Sequence, residues 1–278
     1  MKRRSLAAGL VLAALLLLPT SASGVWGGQL DTTHPNVGAM YFDYDGTGPY
    51  VDGLICSGSY AGPSKTGAND VFLLAGHCLP SPEDGISAGD LYVSYSNNAG
   101  VTDTHVPVSS PIQVASYHQM PGFGHDLGDL HDLGILLLPR GSAGSLAPVQ
   151  LAPAGFLDAL KKEGSLNFRS VTLVGYGVTP DWESPGPTGF AFDGQRKTGS
   201  SVITGLGKAF VRLSQNNGIG TGSGLCFGDS GSPQFDTATN RVISVTSGGN
   251  GQCNANNYDY RVDTPQARAF LGEFLNLP

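Results

Sequence analysis

Glycine and proline interrupt this chain so often that a helical bundle is excluded. The sequence has 41 glycines and 18 prolines among its 278 residues, about a fifth of all positions. Glycine weakens helices through its backbone freedom, and proline lacks the amide hydrogen that a helix requires. Short β-like runs lie between these residues and predict an all-β protein. Hydrophobic residues make up 40% of the chain and charged residues 13%, a composition that can bury a core.

The β-like runs form two groups, and short strands at regular spacing are typical of barrels and sandwiches. The first group comprises Val71–Ala75, Leu91–Tyr95, Ile112–Ser116 and Leu133–Leu138, and the second comprises Val171–Tyr176, Lys208–Leu213, Val242–Thr246 and Tyr258–Val262. The intervening segment Ala147–Gly164 contains prolines and charged residues that indicate a linker with one helical turn. We therefore expect two domains, at 25–146 and 166–278, joined by residues 147–165.

The end of the chain predicts a helix. Thr264 is a suitable N-cap, and Pro265 suits the first helical turn. The apolar residues that follow recur at helical spacing and would form one buried face; they are Ala267, Phe270, Leu271, Phe274 and Leu275.

Residues 1–24 predict a secretory signal peptide. Basic residues at positions 2–4 precede the apolar run Leu6–Leu18, and small and polar residues follow at 19–24. The alternative is a membrane anchor, but thirteen apolar residues are fewer than the roughly 20 that a spanning helix needs. We expect a secreted, extracellular protein that has no association with a membrane after the signal is removed.

The charge of the chain argues against two classes of partner. The sequence contains 22 acidic and 15 basic residues, which gives a formal net charge of −7. Removal of residues 1–24 would make the net charge more negative, because all the charged residues of that segment are basic. Neither nucleic acid nor an anionic membrane is expected to bind such a protein.

The four cysteines predict two disulfide bonds, since disulfides are stable in exported proteins. Cys56 and Cys78 lie 22 residues apart, and Cys226 and Cys253 lie 27 apart. Three connectivities are possible, and local pairing within each half is favoured. A zinc site of four cysteines is the alternative, but none of these spacings is as short as such sites use.

Ser230 lies in a glycine turn beside a cysteine, within the segment Cys226–Pro233. The glycines of this segment permit a sharp turn in which the amides of Gly228 and Ser230 can converge on a substrate oxygen that becomes negative. A serine hydroxyl is a weak nucleophile without a base. A base is therefore expected elsewhere in the chain.

His77 is the candidate base, and Asp132 is the candidate acid that would orient it. His77 follows the run Val71–Ala75 and precedes Cys78. Asp132 begins a strongly apolar run, where a carboxylate is costly unless a partner compensates its charge. The imidazole N–H of His77 would be that partner, and the carboxylate would fix the histidine tautomer. The alternative for His77 is a packed or surface histidine without a catalytic role.

The order of these residues along the chain separates possible folds. All six histidines precede Ser230, whereas an α/β-hydrolase places its histidine after the nucleophile. The segment 228–232 also lacks the Gly-x-Ser-x-Gly spacing of that fold. The α/β-hydrolase fold is therefore excluded.

Taken together and in this order, the segments resemble the trypsin/chymotrypsin-like serine endopeptidases, especially their secreted bacterial members. Ala75–Cys78 is similar to the catalytic-histidine motif, Asp132–Leu136 to the aspartate strand and Gly228–Gly231 to the nucleophile loop. Further matching segments extend the resemblance over nearly the whole mature chain; they are Val25–Gly28, Cys56–Ser59, Val174–Gly177 and Thr246–Gly249.

The resemblance implies an all-β fold of two six-stranded antiparallel β-barrels with a catalytic cleft between them and a C-terminal α-helix. It also implies that Ser230 attacks the substrate, that His77 acts as general base and then acid, and that Asp132 orients the histidine. The amides of Gly228 and Ser230 would form the oxyanion hole.

The resemblance further implies where the substrate lies. Ser247, Gly248 and Gly249 would bind an extended peptide as an added strand. The residue six positions before the nucleophile, Gly224, would lie at the base of the primary pocket, followed by Leu225. No carboxylate stands there, so we expect preference for an uncharged, apolar side chain before the scissile bond.

Asp259 is the alternative source of charge in this pocket. It lies in the predicted strand Tyr258–Val262, which would close the pocket floor. A negative charge there would instead favour a basic substrate residue.

Two features depart from the family's pattern. Ser232 replaces the second glycine of the usual Gly-Asp-Ser-Gly-Gly-Pro run, which affects packing but removes no catalytic group. Asp126 and Asp129 lie close to Asp132 and are alternative orienting acids, although only Asp132 directly precedes the apolar run. Together with the two nearby histidines, these aspartates are also an alternative metal-ion site. Our expectation is a protein without metal or cofactor.

The predicted amino terminus suggests a mode of activation. If the signal is removed after Gly24, the new ammonium group of Val25 can pair with Asp229 and order the oxyanion turn. The alternative is cleavage after Ala22 or Ser23, with Val25 as an ordinary strand residue.

The function expected from the sequence is a secreted, monomeric serine endopeptidase that acts on proteins or peptides through an acyl-enzyme. Two other classes stay open. One is a binding protein that has lost activity on the same fold, although this chain retains all three residues of the triad. The other is an exported esterase, which would use the same acyl-transfer chemistry.

Overall fold

The computed structural model describes residues 25–43, 48, 54–81, 83–98, 108–126, 128–181, 189–216 and 222–278. The predicted signal peptide lies outside these residues. Most of the described chain is β-structure in two large sheets, which share one hydrophobic core.

The first half of the chain forms a curled antiparallel sheet. The strands in chain order are β1 (Gln29–Leu30), β2 (Val37–Phe42), β3 (Leu54–Pro63), β4 (Asn69–Leu74), β5 (Leu91–Ser94), β6 (Ile112–Gln113), β7 (Ser116–Gln119) and β8 (Gly134–Pro139). Their order in the sheet is β6-β5-β2-β3-β4-β8-β7, whereas β1 joins the sheet of the second half.

The predicted strand Ile112–Ser116 is divided into β6 and β7. The Val114 amide donates to Leu91 O (2.9 Å), whereas the Ala115 amide donates to Leu137 O (2.8 Å). The chain therefore changes its partner from the β5 side to the β8 side between two adjacent residues. This exchange curls the sheet round on itself.

The second half of the chain contains a closed barrel of six strands. The elements in chain order are β9 (Gln150–Leu151), α1 (Phe156–Lys162), β10 (Ser170–Gly175), β11 (Thr179–Asp181), β12 (Gly189–Ala191), β13 (Lys197–Leu206), β14 (Phe210–Ser214), β15 (Pro233–Asp236), β16 (Arg241–Gly249), β17 (Asn256–Arg261) and α2 (Pro265–Phe274). The order of strands in the barrel is β13-β10-β15-β16-β17-β14, with β14 paired back to β13. β1 extends this sheet beside β13, and β9 pairs with β16 in parallel. β11 and β12 form a separate hairpin.

Burial on both faces of the first sheet explains the apolar runs of β4 and β8. Along β4, Phe72 and Leu74 enter a core within the first sheet, whereas Val71 and Leu73 enter the core that is shared with the second half. A strand that is buried on both faces loses the alternation of polar and apolar residues. The first sheet is thereby packed against the barrel of the second half.

The predicted terminal helix is confirmed as α2. Thr264 Oγ1 accepts a hydrogen bond from the Ala267 amide (3.2 Å), and Ala267, Phe270 and Leu271 are buried. The helical turn expected in the linker is α1, which is seven residues long. No helix in the described ranges has the length and apolar character needed to cross a membrane.

Candidate active site

His77 and Asp132 meet because β4 and β8 pair antiparallel, with Leu74 opposite Gly134. His77 follows β4 in a single helical turn at Gly76–Cys78, and Asp132 lies two residues before β8. The end of one strand and the start of the other are therefore neighbours. This pairing brings together two residues that are 55 positions apart in the sequence.

Asp132 holds His77 through two contacts. Its Oδ1 accepts the His77 backbone amide at 2.8 Å, and its Oδ2 lies 2.9 Å from His77 Nδ1. Ser247 Oγ also donates to Oδ2 of Asp132. Asp132 is buried, whereas a third of the His77 side chain is exposed. The arrangement leaves Nε2 as the ring nitrogen available for a proton transfer.

Ser230 is fixed between the first sheet and β16. Its carbonyl accepts the Ser57 amide of β3 (2.8 Å), and the next amide, that of Gly231, donates to Thr246 O (2.8 Å). Gly231 has φ 79°, and a Cβ there would lie 2.8 Å from the Ala75 amide nitrogen, two residues before His77. Only glycine tolerates both this torsion and this approach. Ser230 is therefore held beside the histidine turn.

The Ser230 hydroxyl has no hydrogen-bond partner among the described residues. Contacts of this kind often form only when substrate is bound. Its location follows from its backbone contacts and from the disulfide Cys56–Cys78, which joins β3 to the residue after His77 with a Cα separation of 6.1 Å.

Ser57 fixes the turn that precedes Ser230. Its Oγ donates to Gly228 O (2.8 Å) and accepts the Tyr176 amide (3.2 Å). Gly228 has φ 89°. In the described ranges neither the Gly228 amide nor the Ser230 amide donates to another residue. Both donors are therefore free for a substrate oxygen.

Asp229 points away from the cleft into a buried site. Its carboxylate accepts the amides of Gly177 (2.8 Å) and Cys226 (2.9 Å), and also that of Val25. A Cβ at Gly177 would lie 2.4 Å from Asp229 Oδ2, so this position has room only for glycine. Burial raises the pKa of Asp229 from 3.8 to about 7, and the hydrogen bonds from Cys226, Gly177 and Val25 oppose that rise.

Val25 is fully buried and has φ 45°. A positive φ is a true outlier for a β-branched residue, because Cβ then crowds the backbone. Val25, the residue predicted to start the mature chain, is therefore strained as long as another residue is attached to its amide nitrogen.

Ser232 fits its position without an unpaired hydroxyl. The side chain is fully buried, and its Oγ lies 2.9 Å from Thr246 Oγ1. Gln234 Nε2 donates to the Ser232 carbonyl (2.9 Å). The residue that departs from the family's pattern is therefore part of a local polar network.

The segment Ser247–Gly249 forms the end of β16. Gly248 pairs with Tyr258 and Gly249 with Asn257 of β17. A Cβ at Gly248 would meet no atom within 4 Å, whereas one at Gly249 would lie 2.8 Å from Asn257 Oδ1. The space beside Gly248 is therefore open, whereas the Asn257 side chain fills part of the space beside Gly249.

The predicted pocket residues lie near the disulfide Cys226–Cys253. A Cβ at Gly224 would lie 2.3 Å from Trp26 Nε1, so Trp26 packs directly on Gly224. Leu225 is buried in the core of the second half, and its carbonyl accepts Gln215 Nε2 (2.6 Å). The glycine at 224 is thus required by the packing of Trp26.

Asp259 is fully buried on β17, opposite Thr246. Asn257 donates to its Oδ1, and its Oδ2 has no hydrogen-bond partner among the described residues. Burial raises the pKa of Asp259 well above the ordinary value, and the Asn257 amide opposes this rise. Burial therefore disfavours a negative charge on Asp259.

The other aspartates near Asp132 have different partners. Asp129 Oδ1 accepts Tyr260 OH (2.7 Å) and the His131 amide (3.2 Å), and Asp126 Oδ1 accepts the Gly128 amide (2.8 Å). In the part of the chain that the structure describes, no three of the acidic and histidine side chains of this loop lie within ligand distance of one another. Asp132 is thus the carboxylate that contacts His77.

A cavity of about 680 Å³ adjoins His77 and Cys78. Three carboxylates, those of Asp43, Asp84 and Asp90, belong to its lining. An acidic cavity therefore lies beside the helical turn that carries His77.

Some residues of the site are missed by the sequence reasoning. Ser57 lies in a segment that matches the family, but its bridge between Gly228 and Tyr176 depends on contacts 171 and 119 positions away in the sequence. Asn257 is missed because nothing in its local sequence distinguishes it from other strand residues.

One family model and several solved structures match this chain, in agreement with its fold of two β-sheets. The family model described as Trypsin matches residues 43–270. No curated protein matches the chain. The solved structures that resemble it include the human heparin binding protein, with TM-score 0.59 and 17% identity over 91% of this chain and 98% of that chain. A second is the VesB protease of Vibrio cholerae, with TM-score 0.56 and 17% identity over 89% of this chain and 66% of that chain.

Proposed function

The chain belongs to the trypsin family of serine endopeptidases, and on this basis we propose that it is secreted and cleaves peptide bonds through Ser230, His77 and Asp132. The observation that carries the proposal is the double contact of Asp132 with His77, at 2.8 and 2.9 Å, beside the turn that holds Ser230. Membership of this family implies that the substrates are proteins or peptides.

In the first half of the reaction, Ser230 Oγ attacks the substrate carbonyl and His77 Nε2 takes its proton. Asp132 accepts the Nδ1–H of the resulting imidazolium and stabilises its charge. The carbonyl oxygen becomes negative and is bound by the amides of Gly228 and Ser230. Breakage of the C–N bond then releases the amine, which takes the proton from Nε2.

In the second half, water attacks the ester that joins the substrate to Ser230. His77 removes a proton from the water and returns it to Ser230 Oγ when the ester bond breaks. The same two amides bind the second oxyanion. Products are a carboxylic acid and the restored enzyme.

The proposed substrate preference is an uncharged, apolar side chain before the scissile bond. Two observations support it: no carboxylate stands at Gly224 or Leu225, and Asp259 is fully buried, which raises its pKa and disfavours a negative charge there. Peptides that differ only at this residue test the preference, with Asp259→Asn as the matched variant. Faster cleavage after Lys or Arg, lost in Asp259→Asn, would contradict it.

Activation by removal of residues 1–24 is part of the proposal. A new ammonium group at Val25 would face the Asp229 carboxylate, and cleavage would relieve the strained φ of 45° because the preceding carbonyl is lost. Mass spectrometry of the secreted, active protein tests this, and an active form that begins at another residue contradicts it.

Labelling by a fluorophosphonate and cleavage of casein test the catalytic proposal. Ser230→Ala should lose both the label and about 10⁵- to 10⁶-fold in kcat. Ser232→Gly is the matched control, because it changes the serine two positions away to the family's usual residue and should keep the label. A labelled protein that hydrolyses esters but no peptide would be an esterase.

The alternative of an inactive binding protein has less support. One structural neighbour is named for binding heparin, an anionic polysaccharide. The present chain carries a formal charge of −7, which opposes binding of a polyanion.

A further inference from the structure

Lys197 is a buried cation that the proposed mechanism does not use. Its side chain is 6% exposed, and its ammonium group donates to Asp193 Oδ2 at 2.6 Å. Lysine is almost never buried to this degree without a charged partner. Asp193 lies in the loop between β12 and β13, and its side chain is 21% exposed. The cation is therefore buried more deeply than the carboxylate that it binds.

Strand pairing places Lys197 on the face of the sheet that Asp229 covers. Lys197 of β13 is directly opposite Gly175 of β10, so side chains at these two positions lie on the same face. A Cβ at Gly175 would lie 2.1 Å from Asp229 Oδ1, which means that the carboxylate fills the space above Gly175. Opposed Cβ positions are about 5 Å apart in such a pair. The carboxylate therefore lies within reach of the flexible four-carbon side chain of Lys197.

Val25 packs on the same face. Gly199 follows Lys197 by two residues along β13 and therefore faces the same way. A Cβ at Gly199 would lie 3.0 Å from Val25 Cγ1. Val25, Asp229 and Lys197 are all buried. The predicted amino terminus and the lysine are therefore neighbours on one buried face, together with Asp229.

The Asp229 carboxylate has an acceptor position for a further donor. An ionised carboxylate has about four such positions, and the amides of Gly177, Cys226 and Val25 use three of them. No cationic side chain among the described residues contacts Asp229. One position is therefore open to an ammonium group.

The burial of Lys197 favours an exchange of its partner. Moving a cation from water to a buried carboxylate costs desolvation energy, which often cancels the attraction. The Lys197 ammonium has already lost most of its water beside Asp193. When it leaves, water can hydrate the partly exposed Asp193, whereas the fully buried Asp229 gains a charge-assisted hydrogen bond. Because the structure has the ammonium on Asp193, the exchanged state is the minor one.

We propose that Lys197 is a second cation for Asp229, which orders the oxyanion turn in chains that retain residues before Val25. The inference rests on the proposed function. In such a chain Val25 has no ammonium group, and the exchange of Lys197 from Asp193 to Asp229 gives a residual activity. Removal of residues 1–24 then raises the activity, because the Val25 ammonium binds Asp229 without competition from Asp193. Lys197 is thus a positioning residue, which acts through Asp229 and does not touch the substrate.

Two chains that differ only at the amino terminus test the exchange. One begins at Val25 and the other at Ser23, and each is produced behind a removable fusion partner that fixes its first residue. The rate at which a fluorophosphonate labels Ser230 and the kcat on a peptide substrate report the ordered turn. Mass spectrometry after the assay confirms both amino termini. The longer chain should have about 1–10% of the activity of the shorter one, which is the population typical of a minor state.

Substitutions at the two partners separate positioning from a structural role. Lys197→Met should lower the activity of the longer chain about tenfold more than that of the shorter chain. Lys197→Arg keeps the charge and should restore part of this activity. Asp193→Asn frees the ammonium and should raise the activity of the longer chain several-fold. Lys208→Met is the matched control, because Lys208 is an exposed lysine in the turn after β13 and should change neither chain.

The outcomes distinguish this inference from the proposed function. Full activity of the longer chain in Lys197→Met overturns the inference and leaves the proposed function intact. An equal loss in both chains shows that Lys197 only supports the fold, and it overturns the inference as well. A longer chain that is inactive both as wild type and as Asp193→Asn does the same. If the chain that begins at Val25 fails to label Ser230, the proposed function itself is overturned.

Discussion

At the scale of single residues, burial changes the ionisation of Asp229, the residue directly before Ser230. In the unfolded chain its pKa is near 3.8, and in the folded chain with Gly24 attached burial raises it to about 7. Between these values the folded state holds a proton that the unfolded state releases. The contribution of Asp229 to stability is therefore lost as pH rises through this range.

We predict a different pH dependence for the chain before and after removal of residues 1–24. The longer chain should lose stability between about pH 4 and 7, by an amount on the order of 4 kcal/mol. Asp229→Asn should remove this loss. A chain that begins at Val25 should not show it, because the ammonium group stabilises the carboxylate. Denaturant unfolding at a series of pH values measures the free energies, and equal slopes for both chains would contradict the prediction.

Tyr260 connects the pocket strand β17 to the loop of Asp132. The residue is fully buried, and its OH donates to Asp129 Oδ1 at 2.7 Å. Asp129 also accepts the His131 amide, and His131 has a positive φ of 50° directly before Asp132. The hydrogen bond therefore helps to hold the loop that carries Asp132, the proposed orienting carboxylate.

Tyr260→Phe should lower the free energy of unfolding by about 1 kcal/mol, because it removes one buried hydrogen bond. It should also lower kcat more than it raises KM, since the loop of Asp132 would lose a fixed contact. Tyr258→Phe is the control, as Tyr258 lies on the same strand but is exposed. Equal effects of the two substitutions on stability and kcat would show that the Tyr260 hydroxyl does not fix the position of Asp129.

At the scale of secondary structure elements, β3 connects the two halves of the site. It carries Cys56, which is bonded to Cys78, and Ser57, whose Oγ contacts both Gly228 and Tyr176. Ser59 lies two positions further along the same strand and is equally buried, but its Oγ has no hydrogen-bond partner among the described residues. The strand thus carries two equally buried serines, Ser57 with hydrogen-bond partners for its hydroxyl and Ser59 without them in the described part of the chain.

Ser57→Ala should lower the free energy of unfolding by about 1–3 kcal/mol, because the Tyr176 amide and the Gly228 carbonyl each lose a buried partner. It should also reduce kcat, since the oxyanion turn is then less firmly held. Ser59→Ala should be neutral or slightly stabilising, as it removes a buried hydroxyl without a partner. Thermal or denaturant unfolding with a kinetic assay distinguishes the two, and similar losses for both variants would contradict the argument.

At the scale of the whole molecule, a buried ion pair holds the amino-terminal segment and the two sheets together. Arg196 Nε donates to Asp31 Oδ2 (2.9 Å), and its Nη1 donates to Val37 O (3.1 Å) of β2 and to Tyr95 O (3.2 Å). Burial raises the pKa of Asp31, but hydrogen bonds from His34, Thr33 and Arg196 outweigh it, and the pKa lies below the ordinary value. Asp31 therefore stabilises the fold at neutral pH, and this contribution is lost as pH falls through its folded-state pKa.

Arg196→Met should destabilise the protein by about 3–5 kcal/mol, because it leaves the carboxylate of Asp31 buried without its cation. The double variant Asp31→Asn with Arg196→Met should be less destabilised than Arg196→Met alone. Unfolding free energies of the wild type, Asp31→Asn, Arg196→Met and the double variant test this, and an additive result would show that the two side chains do not act as a pair.

The local sequence predicts the main features of the fold with good accuracy. The strands β4, β5, β8, β10, β14, β16 and β17 and the helix α2 lie where apolar runs and a capping threonine predict them. The predicted cysteine pairing agrees with the disulfides of the structure. The division into domains at 147–165 stays a prediction.

Other features depend on contacts between distant segments, which no local pattern specifies. The first sheet curls because the chain exchanges hydrogen-bond partners between Val114 and Ala115, and the site is held by Ser57, whose partners lie far away in the sequence. The exposed pair Phe190 and Phe227 is likewise produced by folding alone.

The sequence by itself determined which residues are the candidates for the proposed chemistry, since His77, Asp132 and Ser230 lie in short motifs whose glycines and apolar runs are local properties of the chain. Only the tertiary structure decided how these motifs are joined. The hydrogen bond of Asp132 to His77 and the contact of Asp229 with Val25 depend on the pairing of strands and the burial of carboxylates. Burial and strand pairing arise from the folded chain as a whole, because they depend on what covers a residue rather than on its neighbours in sequence.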